Sequence, residues 1–278
     1  MRLGSTTDEK EFAKWLIEVG HGQHTEPDGS IKLPQHTKCG DTVDALINSS
    51  YPHIGIINSN DGNDQYFLER TILTSRNDDV TNLNYKILQK MPGQELLFQS
   101  ADSVITEQGA DGDFQYPLEY LNSIEMGGLP LAKLRLKIGA PIMILRNLDP
   151  AHGICNGTRA VLTRASHRVL EVRILGGEHA GHTAFIPRIT ITPSNGELPF
   201  QLRRRQSPVQ LAFAMTINKA QGQSVKNVGL HLQKSVFTHG QLYVALSQCT
   251  SSQRIKVIFK EGTQETVTRN IVYPEVLI

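Results

Sequence analysis

The feature of this sequence that most constrains its fold is an alternation of short apolar strands and helices that is interrupted once. Arg70–Thr74 is apolar and β-branched, and the apolar residues between positions 80 and 88 then line one helical face. A strand–turn–helix unit of this kind is the building block of an α/β sheet. The pattern returns as a strand at residues 209–216, a polar turn, a second strand at residues 228–232 and a helix at residues 238–246. We therefore predict an α/β fold with an insertion.

The segment between these two parts has a different pattern. Residues 134–145, 160–175 and 183–191 resemble strands and are separated by turns that contain Gly or Pro. Several short strands at this spacing predict a small barrel. The predicted organisation is a first part of an α/β domain (1–131), an inserted small β-barrel (132–206) and the remainder of the α/β domain (207–278).

Composition and charge argue against several classes of protein. The formal net charge of +1 is not the strongly basic balance of many nucleic-acid binders, although a total charge does not reveal local patches. The three cysteines lie far apart and the ten histidines form no ligand motif, so no metal site is predicted. No apolar run approaches the roughly 20 residues that span a bilayer, and the N-terminus does not resemble a signal peptide. We expect no membrane association and a nuclear or cytoplasmic location.

One segment places polar and charged side chains directly after an apolar strand. Residues 212–224 read AFAMTINKAQGQS, so hydroxyl, amide and ammonium groups follow the strand directly. Such groups hold a phosphodiester backbone without reading its sequence, and Gly222 lets the chain turn tightly. On composition alone, a solvated turn between a strand and a helix is the simpler interpretation.

This segment resembles motif V of superfamily-one helicases, in the form carried by the petite-integration-frequency (PIF) family. Residues 242–247 resemble the start of motif VI and residues 69–84 resemble motif IV. Residues 136–159 are similar to the linking region of the family, and Met1–Leu3 to the element that closes its first motor domain. The motifs occur in the family's order from Met1 to about Phe259, and their form is that of the PIF-like helicases of Helitron transposons.

The resemblance implies a P-loop NTPase fold, namely a RecA-like second motor domain with an inserted barrel of the Src-homology-three (SH3) type. It implies the C-terminal part of an ATP-dependent 5′–3′ DNA helicase that binds single-stranded DNA. A nuclear location and roles in DNA repair, recombination and telomere maintenance are further expectations from the family. By resemblance, the residues that hold the DNA backbone are Thr74, Asn77, Thr216, Asn218, Lys219 and Ser224. Those that face the nucleotide are Arg2, Gln221, Gly222 and Gln248.

The residues that ATP hydrolysis requires are incomplete in this sequence. It contains no Gly-Lys pair and hence no Gly-x-x-x-x-Gly-Lys-Ser/Thr phosphate cradle, nor an apolar strand that ends in Asp-Glu to hold a metal. In the family both belong to the first motor domain. ATP and Mg²⁺ are therefore predicted to bind only when a first motor domain is supplied, in cis or in trans, and the isolated chain is predicted to be inactive as an ATPase.

The arginine finger is also missing. Motif VI of the family continues Leu-Ser-Arg, whereas this chain has the uncharged Gln248 at that position. An arginine finger contributes roughly 10³–10⁵ in rate to phosphoryl transfer, so no confident catalytic residue is assigned. Arg2 is either a second γ-phosphate contact or a frayed terminal arginine.

There are two alternatives to a helicase. The chain could be a non-enzymatic remnant of a transposon helicase that binds DNA or a partner protein, which the change to Gln248 favours. An unrelated α/β hydrolase has little support, since no Gly-x-Ser-x-Gly elbow is present. The cluster Arg203–Arg205 is either a phosphate contact or a solvated face. His152 and Arg159 flank a tight turn, and a structural role is predicted for both.

Overall fold

The computed structural model describes residues 7–57, 63–105, 116–193, 198–260 and 265–276. Its internal contacts divide the chain into two compact units. The first consists of Met1–Ile57, Gln65–Met91 and Phe213–Ile278, and the second of Asn58–Asp64 and Pro92–Ala212. Each unit is described by itself.

The secondary structure follows in chain order. The α-helices of the described residues are α1 (Thr7–Gly20), α2 (Val43–Ser50), α3 (Asp64–Leu68), α4 (Asn77–Lys90), α5 (Leu118–Ser123) and α6 (Gln241–Ser247). The strands before residue 150 are β1 (Ser30–Lys32), β2 (Arg70–Thr74), β3 (Leu96–Gln99), β4 (Ala101–Ile105), β5 (Lys133–Leu136) and β6 (Pro141–Ile144). Those of the middle are β7 (Arg159–Ala165), β8 (Val169–Ile174), β9 (Thr183–Pro187), β10 (Ile189–Ile191), β11 (Gln201–Gln206) and β12 (Val209–Leu211). The last are β13 (Ala214–Thr216), β14 (Asn227–His231), β15 (Ile255–Ile258) and β16 (Val267–Arg269).

A four-stranded parallel sheet forms the centre of the first unit. Its strand order is β13-β2-β14-β15, and every neighbouring pair is parallel. The inner strands β2 and β14 are buried along nearly their whole length, as strands of a parallel sheet must be when helices cover both faces. The predicted α/β class is confirmed, and the predicted strand and helix at Arg70–Leu88 are present as β2 and α4.

Local interactions explain how α2 forms and packs on this sheet. The Thr42 side chain accepts a hydrogen bond from the Ala45 amide (3.1 Å), which satisfies a donor at the start of the helix. At the other end, Ser50 approaches β14 at Gly229. A Cβ added to Gly229 would lie 2.3 Å from Ser50 Oγ and 3.0 Å from a side-chain carbon of Ile72. Glycine is therefore required at this close approach of helix and strand.

The second unit is mainly antiparallel. Strands β12-β6-β7-β8-β9 form one sheet, β10-β11-β4 a second, and β3 and β5 a pair. Apolar side chains from the first sheet and from the β3–β5 pair share one core, which includes Leu136, Ile142, Leu162 and Val172. A smaller core lies under the second sheet, with Leu121 of α5 packed near Leu202 of β11.

The limits of the second unit differ from the predicted insertion of residues 132–206. Its main part begins at Pro92 because β3 and β4 pair with β5 and β11. It ends at Ala212 because β12 pairs with β6. The single apolar strand predicted at residues 209–216 is in fact two short strands that belong to different sheets, β12 in the second unit and β13 in the first.

Candidate nucleic-acid interface

The carboxyl ends of the parallel strands bring two predicted residues together. Thr216, the last residue of β13, is paired in register with Thr74, the last residue of β2. On its other side Thr74 is paired with His231 at the end of β14. Thr216 is half-buried, whereas Thr74 is completely buried and its hydroxyl has no hydrogen-bond partner among the described residues. Thr216 can therefore offer its hydroxyl to a ligand at this edge, whereas Thr74 does not reach the surface.

The loop that follows β13 displays the polar groups of the motif. Residues 217–220 form a 3-10 turn, which the backbone hydrogen bond from Gln221 N to Asn218 O ends (3.4 Å), and the bond from Gln223 N to Ala220 O forms the next turn (2.9 Å). Gly222 has a φ of +84°, in the left-handed region that glycine adopts without strain. The turn leaves Asn218, Gln221, Gly222 and Ser224 exposed. Four predicted contact residues thus share one exposed loop.

Lys219 supplies a positive charge in this loop, and its electrostatic surroundings differ from those of Lys226 and Lys234. In the described part of the chain its ammonium group has no hydrogen bond or ion pair. Burial lowers the pKa of this ammonium, with no opposing contribution from a nearby acid. By contrast, Lys226 is paired with Glu69 and Lys234 with Asp79 (2.8 Å). Lys219 is therefore a partly desolvated positive charge that an anionic ligand would stabilise.

Helix α6 borders the loop at both ends. The buried side chain of Gln241 directs its Nε2 toward Asn218 Oδ1 at 3.5 Å. At the other end, the Gln248 carbonyl accepts a hydrogen bond from the Val225 amide (3.0 Å). The Gln248 side chain is 5% exposed, and its Nε2 donates to Val244 O one helical turn earlier (2.8 Å). Gln248 thus lies beside the loop, but its amide bonds to its own helix and carries no charge.

The other predicted site residues are more scattered. Asn77 is exposed in the first turn of α4, directly after β2. Arg2 lies outside the described residues. Among the residues that the structure describes, no group of three or more His, Cys, Asp or Glu side chains is arranged to hold a metal ion. No helix in the described ranges is long and apolar enough to cross a membrane.

The comparisons with known proteins agree with the motif order. Residues 119–164 match the family described as DNA helicase Pif1, 2B domain. The ATP-dependent DNA helicase PIF1 of Homo sapiens is 36% identical over 191 residues, which cover 68% of this chain and 27% of that protein. The Rattus norvegicus PIF1 is 33% identical over 234 residues, which cover 82% of this chain and 32% of that protein.

The chain belongs to the PIF family of helicases. It corresponds to the C-terminal region, and it spans only about a third or less of the length of these mammalian relatives. Solved Pif1 helicases have the same fold. One that unwinds forked double-stranded DNA has a TM-score of 0.59 at 22% identity, over 98% of this chain and 51% of that chain. Bacteroides Pif1 in complex with ADP-AlF3 and single-stranded DNA has a TM-score of 0.59 at 20% identity, over 100% and 54%.

Two residues of the arginine cluster of this PIF-family chain, Arg203 and Arg205, are exposed as predicted for a solvated face, whereas Arg204 is not. Arg204 is fully buried, because β11 alternates and turns this side chain inward between the exposed Arg203 and Arg205. Its guanidinium binds both carboxylate oxygens of Asp102, with Nη2 to Oδ2 at 2.8 Å. The remaining N–H groups donate to backbone carbonyls of Leu121, Ile124 and Pro130. Arg204 therefore stabilises the second unit.

The fold brings further side chains to the carboxyl ends of these strands and to the start of α6 that no motif in the sequence marks. His231, Asp79 and Gln241 lie near the predicted residues only because parallel strands and a helix bring distant segments together. His231 is 6% exposed and its Nδ1 has no partner within the described residues. Burial lowers its pKa, and the Asp79 carboxylate acts in the opposite direction. Because β2 and β14 were both predicted as strands, their pairing was the signal that could have located His231.

Proposed function

We propose that this chain acts as the C-terminal part of an ATP-dependent 5′–3′ DNA helicase. In this proposal the first unit is the RecA-like second motor domain, and the second unit contains a small SH3-like barrel. The chain would hold the backbone of single-stranded DNA and complete an ATP-binding cleft with a first motor domain. A nuclear location and roles in repair, recombination and telomere maintenance, in a protein of Helitron origin, belong to the same proposal.

The partial burial of Lys219, without an acidic partner among the described residues, is the main support for DNA binding. A half-buried ammonium without an acidic partner has lost hydration that no protein group replaces, so a phosphate oxygen is a favourable ligand. Thr216, Asn218 and Ser224 add a hydroxyl, an amide and a second hydroxyl in the same segment of the chain. Groups of these types position a phosphate backbone without reading its bases. The single-stranded DNA bound by Bacteroides Pif1 supports the same class of ligand for this chain.

Among the described residues that we propose to face the nucleotide, none carries a positive charge. Gln221 and Gly222 are exposed in the loop, next to the end of α6 where Gln248 lies. ATP and Mg²⁺ would be held mainly by a first motor domain, because this sequence has no phosphate cradle of its own. Without the positive charge of an arginine finger, hydrolysis would be slow even in the assembled motor.

The same residue favours a second candidate function. The Gln248 amide is already bonded to Val244, and it cannot stabilise a developing negative charge as a guanidinium does. The chain could therefore serve as a non-enzymatic DNA-binding or partner-binding remnant of a transposon helicase. Loss of ATP turnover with retained DNA binding would distinguish this candidate from a working motor.

A binding titration tests the proposal. The affinity of the chain for a fluorescent 15-nucleotide oligo(dT) is measured by anisotropy at several salt concentrations. We expect binding at low salt that weakens as salt rises, and in Lys219→Ala a weaker affinity with a salt slope shallower by about 0.7, the contribution of one phosphate contact on a single strand.

Lys226→Ala is the matched control. Lys226 lies near the same loop but is already neutralised by Glu69, so its removal should change the affinity less than the loss of Lys219. A folded chain that shows no affinity for the oligonucleotide at low salt would refute the proposal.

A further inference from the structure

Three aromatic rings are displayed near the start of α6. Phe237 is 54% exposed and Tyr273 is 48% exposed, whereas Tyr51, Phe67 and Phe213 of the same unit are fully buried. A single exposed apolar side chain is ordinary, but a group of exposed rings on one part of the surface marks a contact site. The exposed rings are therefore candidates for contact with a ligand.

Two of these rings are held in a fixed arrangement. The rings of His239 and Tyr273 are stacked, with centroids 5.5 Å apart and an interplanar angle of 14°. The Tyr273 amide donates a hydrogen bond to His239 Nδ1 (2.9 Å), and the Gly240 amide donates to Ile271 O (2.9 Å). These two bonds join the C-terminal segment to the start of α6, so little side-chain entropy remains to be lost when a ligand stacks on the pair.

The rings are continuous with the proposed phosphate-binding loop. The buried Gln241 accepts a hydrogen bond from the Phe237 amide on one side (3.0 Å). On the other side the same side chain approaches Asn218 at 3.5 Å. A single glutamine thus connects the segment that carries the rings with the loop that carries Lys219.

The charge of this part of the chain indicates which ligand the rings would meet. Residues 198–260 contain no Asp or Glu. The same stretch contains nine basic residues, namely Arg203, Arg204, Arg205, Lys219, Lys226, Lys234, Arg254, Lys256 and Lys260. Three of them, Arg204, Lys226 and Lys234, form ion pairs with acids from other segments, whereas Lys219 forms none within the described residues. A long segment without acidic residues, with exposed aromatic rings next to a cationic loop, is the combination that binds single-stranded nucleic acid.

We propose that Phe237 and the stacked pair His239–Tyr273 form a base-stacking surface for single-stranded nucleic acid beside the phosphate-binding loop. The inference rests on the proposed function, since the phosphates would lie on Asn218 and Lys219 while bases stack on the rings. Every base has an aromatic face, so this surface tolerates any sequence.

The test distinguishes binding through stacked bases from binding through phosphates alone. The intact chain is titrated with oligo(dT) of 15 nucleotides and with an abasic oligomer of the same length, which has the same phosphates and no bases. We expect oligo(dT) to bind more tightly by about 5- to 150-fold, the effect of stacking one base. Phe237→Ala and Tyr273→Ala should each reduce this ratio several-fold and leave the affinity for the abasic oligomer unchanged.

Three further variants make the result specific. Tyr273→Phe keeps the ring and should keep the ratio. Ile56→Ala truncates another exposed apolar residue of the same unit, which is 79% exposed, and should also keep it. Lys219→Ala should weaken the binding of both oligomers equally. Thermal unfolding of each variant verifies that its fold is intact.

The possible outcomes are distinguishable. If the folded chain binds neither oligomer, the proposed function fails and the stacking surface fails with it. If the wild type binds both oligomers equally, it binds phosphates alone, and the stacking surface is refuted while the proposed function stands. If the ratio is large but unchanged in Phe237→Ala and Tyr273→Ala, the bases stack elsewhere and the rings serve another contact, which also refutes the inference.

Discussion

Replacement of Arg204 by methionine should unfold the second unit or leave it barely stable. The Arg204 side chain is 1% exposed and that of its partner Asp102 is completely buried. Removal of one partner from a buried ion pair costs about 3–5 kcal/mol, because the other charge stays buried without compensation. The variant also leaves three backbone carbonyl groups without the donor that Arg204 supplied, those of Leu121, Ile124 and Pro130. Each unsatisfied acceptor costs about 1–3 kcal/mol, although such losses are not additive.

The total loss should therefore be about 4–8 kcal/mol, which is comparable with the whole stability of a domain at about 5–15 kcal/mol. It is measured by urea denaturation of the intact chain, followed by circular dichroism. Hydrogen exchange of the amides in β4 and β11 reports the second unit separately from the first. Arg203→Met and Arg205→Met are matched controls on the same strand, and their exposed side chains should change stability by no more than about 0.5 kcal/mol.

A second variant tests whether the ion pair is the cause. In the double variant Arg204→Met/Asp102→Leu, no charge remains buried, so the part of the loss that comes from the uncompensated charge, about 3–5 kcal/mol, should return, while the three carbonyl groups stay unsatisfied. The reasoning would be refuted if Arg204→Met lost less than about 1 kcal/mol. It would also be refuted if Arg204→Met destabilised the unit no more than Arg205→Met.

Two further predictions concern the first unit. Burial lowers the pKa of His231 below its unfolded value of about 6.5, so below that pH the unfolded chain binds the proton more readily and stability falls as the pH drops toward the folded pKa. His231→Gln should make the loss of stability between about pH 6.5 and 5 shallower in urea titrations, and an equal or steeper loss would contradict this. Gly229→Ala should cost about 1–3 kcal/mol in urea denaturation, because the new Cβ would lie 2.3 Å from Ser50 Oγ. Gly127→Ala, where a Cβ meets nothing within 4 Å, is the control, and equal effects of the two changes would contradict the close packing of α2 on β14.

Much of the first unit could be predicted because its signals are local. The strand at Arg70–Thr74 is a short stretch of β-branched and apolar residues, and a helix with one apolar face follows it. The apolar run at residues 209–216 shows the limit of such signals. Its two halves have similar residues, but Val209 pairs with Ile144 in one sheet and Ala214 with Ile72 in another. Pairing partners far away in the sequence decide this division.

Strand β11 was missed because polar side chains occupy its inner face. Leu202, Arg204 and Gln206 all point inward and are fully buried. Hydrophobic periodicity fails when two of three inward residues are polar. Their partners are distant: Asp102 for Arg204, and the Phe98 carbonyl for Gln206 (2.9 Å). Only the folded structure supplies the groups that make such burial possible.

The candidate site was predictable to the extent that it lies in one segment. The polar loop after β13 was found because its residues are consecutive in sequence and follow an apolar strand. The isolation of Lys219 from acidic groups could not be predicted, since it depends on which side chains the fold brings close. The stacking of His239 on Tyr273 likewise joins residues that are 34 positions apart.

The central claim is that this chain supplies the second half of a PIF-type motor, and ATP turnover stimulated by single-stranded DNA tests it most directly. Three proteins are compared: the chain alone, a fusion to the first motor domain of a Pif1 relative, and the same fusion with Gln248→Arg. We expect no turnover from the chain alone, slow turnover from the fusion, and a large gain when the charge of the arginine finger is restored. Turnover by the chain alone would contradict the claim, because a phosphate site would then exist where the sequence has no cradle. So would two folded fusions that bind DNA yet show no difference in ATP turnover.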